Sequence, residues 1–222
     1  KPLSSRTAYQ RSGYLYDAYG IMMDRKEDLA RTMTMEQGKP LRAALNEVQY
    51  GADFLLWYAE EAKRIYGETI PAPRADQRFI VLHQPVGVVG AVTPWNYPIS
   101  MITRKVAPAL AAGCTIVLKP SEVAPLNAIL FAEVMHEAGV PPGVFNMVQG
   151  DGPTVGVAIS SHPGIDMVSF TGSTRVGTRV MQLAAERAAR GLCLPRGDRA
   201  QASTAGHGDA GQHRSRARAD RL

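Results

Sequence analysis

The sequence has few cysteines and lacks long apolar runs, and both shortages narrow the class of protein. Cys114 and Cys193 are its 2 cysteines in 222 residues. They are too few for a disulfide framework and favour a reducing, cytoplasmic setting. No stretch approaches the roughly 18 uninterrupted apolar residues that suggest a membrane span, so we expect no membrane partner. The first residues lack the apolar core of a signal peptide and a starting Met, as expected of a fragment or a processed chain.

Positive charge is in small excess and is unevenly distributed. The formal net charge is +5, of which residues 191–222 contribute +3 through six Arg and three Asp. This segment has no periodic apolar pattern, and its Arg, Gly, Ala, Ser and Asp composition predicts a disordered tail. The basic character is therefore largely a property of the tail, and we expect no nucleic-acid partner.

Residues 1–73 predict a helical N-terminal segment. Apolar side chains recur at helical spacing over residues 7–35, where a polar break separates two helices. A third helix is expected over residues 41–65. Trp57 and Tyr58 on this third helix are interpreted as packing residues.

From residue 74 the pattern changes to strands. Residues 74–86 contain a predicted strand, whose His83 is interpreted as a surface or structural residue. From Gly87 onward strands and helices alternate at βαβ spacing. The predicted strands are 87–93, 115–119, 144–148 and 166–171, and the predicted helices are 99–112, 124–138, 153–161 and 174–189. This alternation indicates an α/β fold with a doubly wound, Rossmann-like parallel sheet over residues 87–190, preceded by helices and followed by the tail.

Polar residues follow the first predicted strand of this sheet, at the edge where open parallel sheets bind ligands. The turn reads Thr93-Pro94-Trp95-Asn96-Tyr97-Pro98. The Asn96 amide is a rigidly placed donor that can stabilise a developing oxyanion, although Asn is also an ordinary turn residue. Arg104 on the following helix can hold a carboxylate through two hydrogen bonds if that helix lines the pocket.

Two further strand ends carry groups suited to a nucleotide. Lys119 and Glu122 follow the second strand, where an acidic residue can receive ribose hydroxyls, although a Lys-Glu pair is also common in solvated turns. Gly172 and Ser173 open the last helix, where free N–H groups favour phosphate. This is not a G-x-G-x-x-G motif, and a Ser N-cap after Gly is common. Together the two signals favour nucleotide binding.

In this order and spacing, the motifs resemble the NAD(P)-dependent aldehyde dehydrogenase superfamily. This resemblance rests on the stretches Thr93–Pro98, Leu118–Glu122 and Phe170–Gly177. Glu36–Pro40, Tyr58–Gly67 and Met101–Lys105 are similar to the succinate-semialdehyde dehydrogenase branch. The resemblance runs from about residue 8 to residue 189, which is less than half of a full-length member and corresponds to its N-terminal, cofactor-binding portion.

The resemblance implies a role for each matching residue. Asn96 would be the oxyanion-hole amide, and Arg104 would contact the substrate carboxylate. The cofactor-binding residues would be Thr93, Pro94, Trp95, Lys119, Ser121, Glu122, Gly172, Ser173 and Val176. The cofactor would be NAD, with NADP possible, because Glu122 would crowd a 2′-phosphate. No metal is implied, and residues 74–86 would form the small sheet through which family members become homo-oligomers.

Two catalytic features of the family are missing from the sequence. Neither its Glu-Leu-Gly-Gly motif, which carries the general base, nor its nucleophilic cysteine has a counterpart. Cys114 matches a structural position, and Cys193 lies in the predicted tail. We therefore expect a member of a family that oxidises succinate semialdehyde or a similar aldehyde to the acid, with little activity alone. A catalytically silent nucleotide-binding or oligomerisation module and a truncated relic are the alternatives.

Overall fold

The computed structural model describes residues 3–186 and 190–195. Its N-terminal part contains the helices α1 (Ala8–Asp24), α2 (Lys26–Gln37) and α3 (Leu41–Glu61), with single 3-10 turns at Leu3–Ser5 and Ala62–Arg64. A capping box starts α1, because the Thr7 hydroxyl accepts the Gln10 N–H and the Gln10 side-chain oxygen accepts the Thr7 N–H. Gly38 at φ 72° ends α2 in the left-handed conformation. The three predicted helices are confirmed.

A small antiparallel sheet follows the helices. It pairs β1 (Glu68–Ile70) with β2 (Phe79–Val81), and Glu68 lies opposite Val81. The strand predicted near residue 80 is therefore confirmed, although it is shorter than expected. β1 was not predicted, because three residues beside two prolines are too few to display the alternation of a strand.

The remaining described strands form one parallel sheet in the order β5-β4-β3-β6-β7. These strands are β3 (Val88–Val92), β4 (Thr115–Lys119), β5 (Phe145–Met147), β6 (Met167–Gly172) and β7 (Arg190–Pro195). The connecting helices are α4 (Ser100–Ala111), α5 (Leu126–Glu137), α6 (Val157–Ser161) and α7 (Thr174–Ala185), with a π-helical turn at Gly152–Gly156 before α6. The strand order reverses at β3, between its neighbours β4 and β6. The doubly wound sheet is confirmed, and its ligand-binding crevice is expected beside β3.

The C-terminal boundary differs from the expectation. Residues 191–195, predicted to begin the tail, belong to β7, which pairs with β6 from Met167↔Arg190 to Gly172↔Pro195. The sequence offered only a short apolar run there, and pairing with a neighbouring strand supplies the regular structure. The rest of the predicted tail, 196–222, and residues 187–189 of the predicted last helix lie outside the described residues.

Two apolar layers cover the sheet. Ile116 and Leu118 of β4 are fully buried in the layer shared with α1 to α5, whereas Val117 between them packs against the layer that contains α6 and α7. The alternation of side chains along a strand explains this division. Within residues 3–186 and 190–195, no helix combines the length and apolarity needed to cross a membrane.

Candidate functional site

The turn after β3 and the end of β4 are joined directly. The Thr93 N–H donates to the backbone oxygen of Lys119 at 3.1 Å, and both residues are buried. β3 and β4 are paired in parallel register up to Val92 opposite Lys119. The first two predicted clusters are therefore neighbours at one edge of the sheet.

Asn96 is held in this turn by a distant side chain. Lys39 Nζ donates to the Asn96 backbone oxygen at 2.9 Å and lies 4.2 Å from the centre of the Tyr97 ring. Asn96 Oδ1 is buried and has no hydrogen-bond partner among the described residues. An amide oxygen left unsatisfied in this way is unusual in a folded core and marks a place where a hydrogen-bond donor of a ligand can bind.

Glu47 of α3 completes the support of the turn. Its side chain is 1% exposed and forms an ion pair with Lys39, while its Oε1 accepts the N–H groups of Ile99 at 3.1 Å and Ser100 at 3.4 Å. Burial raises the pKa of Glu47, and Lys39 and these N–H groups oppose the shift. Sequence reasoning missed Glu47 and Lys39. The available signal was the helical spacing of Glu47. It lies three positions after Ala44 and four before Gly51, which are both on the buried face of α3.

Arg104 faces an aromatic surface of α3. Its Nη2 donates to the Tyr50 hydroxyl at 3.3 Å, and its guanidinium carbon lies 5.2 Å from the centre of the Phe54 ring. Tyr50 and Phe54 also line an open pocket of about 320 Å³, together with Asp53, Trp57 and Tyr58. Trp57 is 64% exposed, so its interpretation as a packing residue is wrong, whereas Tyr58 does pack against the core.

Lys119 and Glu122 form a close pair at the end of β4. Lys119 Nζ lies 2.6 Å from Glu122 Oε2, and the side chains are 3% and 49% exposed. The hydrogen bond from Lys119 lowers the pKa of Glu122, so its carboxylate is ionised at neutral pH. Ser121 stabilises the turn between them by accepting the Val123 N–H at 3.2 Å. The pair presents an accessible carboxylate beside a buried ammonium, an arrangement that can receive a diol.

The start of α7 lies on the other side of β3. Ser173 caps this 12-residue helix by accepting the Val176 N–H at 3.4 Å. A Cβ on Gly172 would lie 2.4 Å from Phe170 Cζ, so a larger residue there would require the Phe170 ring to shift. Thr171 Oγ1 is buried without a hydrogen-bond partner in the described part of the chain. Because β6 pairs with β3, this helix start adjoins the Thr93–Pro98 turn.

These groups fit a dinucleotide. The Lys119–Glu122 pair suits ribose hydroxyls, and the start of α7 with the unsatisfied Thr171 hydroxyl suits phosphate. Trp95, 43% exposed in the turn between them, can wall the crevice. The structure thus brings together Asn96 and the residues predicted to bind cofactor, and it places Arg104 on the next helix.

The remaining candidates lie elsewhere. His83 is exposed, with Nδ1 close to the Tyr66 backbone oxygen, which confirms its interpretation as a surface residue. Cys114 is 3% exposed just before β4 begins, at the edge opposite the strand ends. The side chain of Cys193 lies outside the described residues. In the described part of the chain, no group of three or more His, Cys, Asp and Glu is placed to hold a metal ion.

Comparisons with known proteins add a family match. The chain matches the aldehyde dehydrogenase family over residues 1–197. It is 54% identical over 182 residues to the mitochondrial succinate-semialdehyde dehydrogenase of Arabidopsis thaliana, covering 82% of this chain and 34% of that protein. It is 52% identical over 180 residues to the NADP(+)-designated succinate-semialdehyde dehydrogenase GabD of Escherichia coli, covering 81% of this chain and 37% of that protein. The chain therefore spans little more than a third of the curated relatives that it matches.

Solved structures agree with this assignment. An E. coli NADP dependent enzyme superimposes with a TM-score of 0.87 at 49% identity, over 88% of this chain and 40% of that one. A Staphylococcus aureus betaine aldehyde dehydrogenase in complex with NAD+ superimposes with a TM-score of 0.85 at 36% identity, over 86% of this chain and 38% of that one.

Proposed function

The chain belongs to the aldehyde dehydrogenase family, and we propose that it binds a nicotinamide dinucleotide together with an aldehyde at the carboxyl ends of β3, β4 and β6. The observation that carries this proposal is the meeting of three groups at the strand-order reversal. They are the Thr93–Pro98 turn, the Lys119–Glu122 pair and the Ser173-capped start of α7. When bound, the nicotinamide ring supplies the hydride acceptor for oxidation of an aldehyde to a carboxylic acid.

Each end of the dinucleotide has its own residues in this proposal. Lys119 and Glu122 hold the adenosine ribose, and Ser121 stabilises the turn that contains them. Gly172, Ser173 and Val176 border the pyrophosphate at the positive end of the α7 dipole. Thr93, Pro94 and Trp95 line the cofactor cleft, and the Asn96 amide donates to the aldehyde oxygen as negative charge develops on it.

The proposed substrate is an aldehyde that carries a carboxylate at its other end. Arg104 supplies the matching cation, and its contacts with Tyr50 and Phe54 support it beside an open pocket. The names of several relatives point to the same chemistry, since they are succinate-semialdehyde and glutarate-semialdehyde dehydrogenases. Succinate semialdehyde is the first substrate to test.

We further propose that this chain alone has little dehydrogenase activity. The reaction needs an activated thiolate. Cys114 is buried at the opposite edge of the sheet, and Cys193, which lies in β7, corresponds to no catalytic residue of the family. The sequence also contains no Glu-Leu-Gly-Gly stretch. The second candidate is therefore a catalytically silent module that binds nucleotide and associates with other copies. The exposed small sheet favours it, because Phe79, Ile80 and Leu82 are 47%, 67% and 72% exposed.

One experiment separates these proposals. The purified 222-residue chain is titrated with NAD by calorimetry and then assayed for NADH production with succinate semialdehyde. Saturable NAD binding without turnover is expected. Turnover would contradict the proposed inactivity and the silent module, and failure to bind NAD or NADP would contradict the cofactor site.

A further inference from the structure

Asp151 stands beside the proposed ribose site, at the end of the neighbouring strand. β4 and β5 are paired in parallel, and the Val148 N–H donates to the Leu118 oxygen at 2.9 Å, so the two strands end side by side. Glu122 follows the end of β4 by three residues, and Asp151 follows the end of β5 by four. Their carboxylates are both exposed to solvent. Neither the motifs nor the family resemblance had singled out Asp151.

The conformation of Asp151 is fixed by its own turn. Asp151 Oδ1 accepts the Thr154 N–H at 2.7 Å, and the Asp151 backbone oxygen accepts the Val155 N–H at 3.1 Å. The preceding Gly150 has φ 142°, and a Cβ there would lie 2.4 Å from Val155 Cγ2. Because this turn requires glycine and is closed by these bonds, the carboxylate is held in place rather than free to swing away.

The three charged groups interact. The hydrogen bond from Thr154 and the charge of Lys119 both lower the pKa of Asp151. Lys119 lowers the pKa of Glu122 as well, and the charge of Asp151 opposes that shift. Both carboxylates are therefore ionised at neutral pH and share the field of one ammonium, which is already bound to Glu122 at 2.6 Å. The local charge is negative.

On the premise that the proposed cofactor site is correct, we propose that Asp151 is a second specificity-determining residue, which acts with Glu122 to exclude a 2′-phosphate from the adenosine ribose. Dinucleotide folds that accept a 2′-phosphate place an arginine near it, whereas this turn places a carboxylate there. A phosphate would be repelled by both acids and would have to compete with Glu122 for Lys119. The 2′-hydroxyl of NAD carries no charge and meets no such barrier.

Overall similarity to known enzymes does not decide the cofactor. The chain is 52% identical to a relative designated for NADP(+) and superimposes on a structure in complex with NAD+. The choice must therefore depend on particular side chains around the ribose. Asp151 is a suitable candidate because it adds a second negative charge from the loop that follows a different strand, β5.

The substitution Asp151→Asn isolates the charge from the structural role. Asn is as good an N-cap as Asp, so the Thr154 bond is retained while the carboxylate is removed. Glu122→Gln tests the first carboxylate in the same way. Asp76→Asn is the matched control, because it makes the same chemical change in the exposed loop between β1 and β2.

The experiment titrates the 222-residue chain with 5′-AMP and 2′,5′-ADP, which differ only in the 2′-phosphate, and then with NAD and NADP. We expect the parent to prefer the ligands without the 2′-phosphate. Asp151→Asn should raise the affinity for 2′,5′-ADP and NADP about fivefold, as expected for removing one charge near a bound anion. Its affinity for 5′-AMP and NAD should change little. The preference of the parent should also narrow at high salt, which screens exposed charges.

The outcomes separate this inference from the proposed function. If the parent binds both kinds of ligand and their affinity ratio is the same in Asp151→Asn, the inference is overturned and the cofactor site stands. A ratio that changes equally in Asp76→Asn overturns it as well, because the effect would then come from net charge. Binding of none of the four ligands overturns the cofactor site and this inference together.

Discussion

Lys39 Nζ lies 2.9 Å from the backbone oxygen of Asn96, 57 residues further along the chain. The same ammonium is paired with the buried Glu47 carboxylate, which in turn binds the N–H groups at the start of α4. The proposed oxyanion-binding turn is therefore anchored to α3 and to the segment that joins α2 to α3. Its stability depends on a buried ion pair, which is sensitive to the loss of either partner.

We expect Lys39→Met to destabilise the chain by about 3 kcal/mol, because it leaves Glu47 buried without its cation. Urea unfolding followed by circular dichroism measures the change. Arg31→Met is the control, since it breaks the exposed Arg31–Glu27 pair and should cost less than about 1 kcal/mol. Equal effects in the two variants would show that the Lys39 pair has no special structural role.

We expect the folding stability of the chain to depend on pH through the ionisation of Glu36. Burial raises the pKa of Glu36, and its Oε2 has no hydrogen-bond partner among the described residues. A raised carboxyl pKa contributes stability below the unfolded-state pKa, and this contribution is lost as pH rises through the folded-state pKa. Glu36→Gln, which has no charge to bury, should therefore gain stability relative to the parent between acidic and neutral pH.

This difference is measured by thermal unfolding of both proteins from about pH 4, near the ordinary Glu pKa, to pH 7. Glu27→Gln, an exposed residue on the same helix, should show no comparable trend. A difference between Glu36→Gln and the parent that is constant over this range would refute the assignment.

Removal of the Lys119–Glu122 pair should weaken NAD binding. The double variant Lys119→Ala with Glu122→Ala loses charge-assisted hydrogen bonds to the ribose, and we expect a loss of about 2 kcal/mol, or roughly 30-fold in affinity. The control removes another Lys–Glu pair at the same spacing, Lys63→Ala with Glu60→Ala. Calorimetric titration that gives equal affinities for the parent and the double variant would place the ribose elsewhere.

Self-association is predicted through the exposed small sheet. Ile80 is 67% exposed in the middle of β2, and Ile80→Glu would place a charge in an apolar interface. We expect the parent to have the molar mass of a dimer or a larger species in light scattering after size exclusion. The molar mass of Ile80→Glu should be lower. Gln77→Glu in the adjoining loop is the control. A monomeric parent, or an unchanged mass for Ile80→Glu, would argue against this surface.

Most of the fold was predictable because its signals are local. Each βαβ unit places its apolar run, helix and turn within about 30 residues, and such units are recognisable from spacing alone. β1 and β7 were missed for the opposite reason. Their sequences carry no alternation of their own, and it is pairing with β2 and β6 that makes them strands.

The order of residues along the chain establishes which groups follow each strand, and it pointed to Asn96, Lys119, Glu122 and Ser173 as candidates. The surroundings of these residues depend on how the strands and helices pack. The tertiary structure brought Lys39 and Glu47 to the Asn96 turn, aligned the ends of the strands that precede Glu122 and Asp151, and exposed Trp57. These relationships join segments separated by up to 57 residues. They depend on strand order and helix packing, which no local pattern encodes.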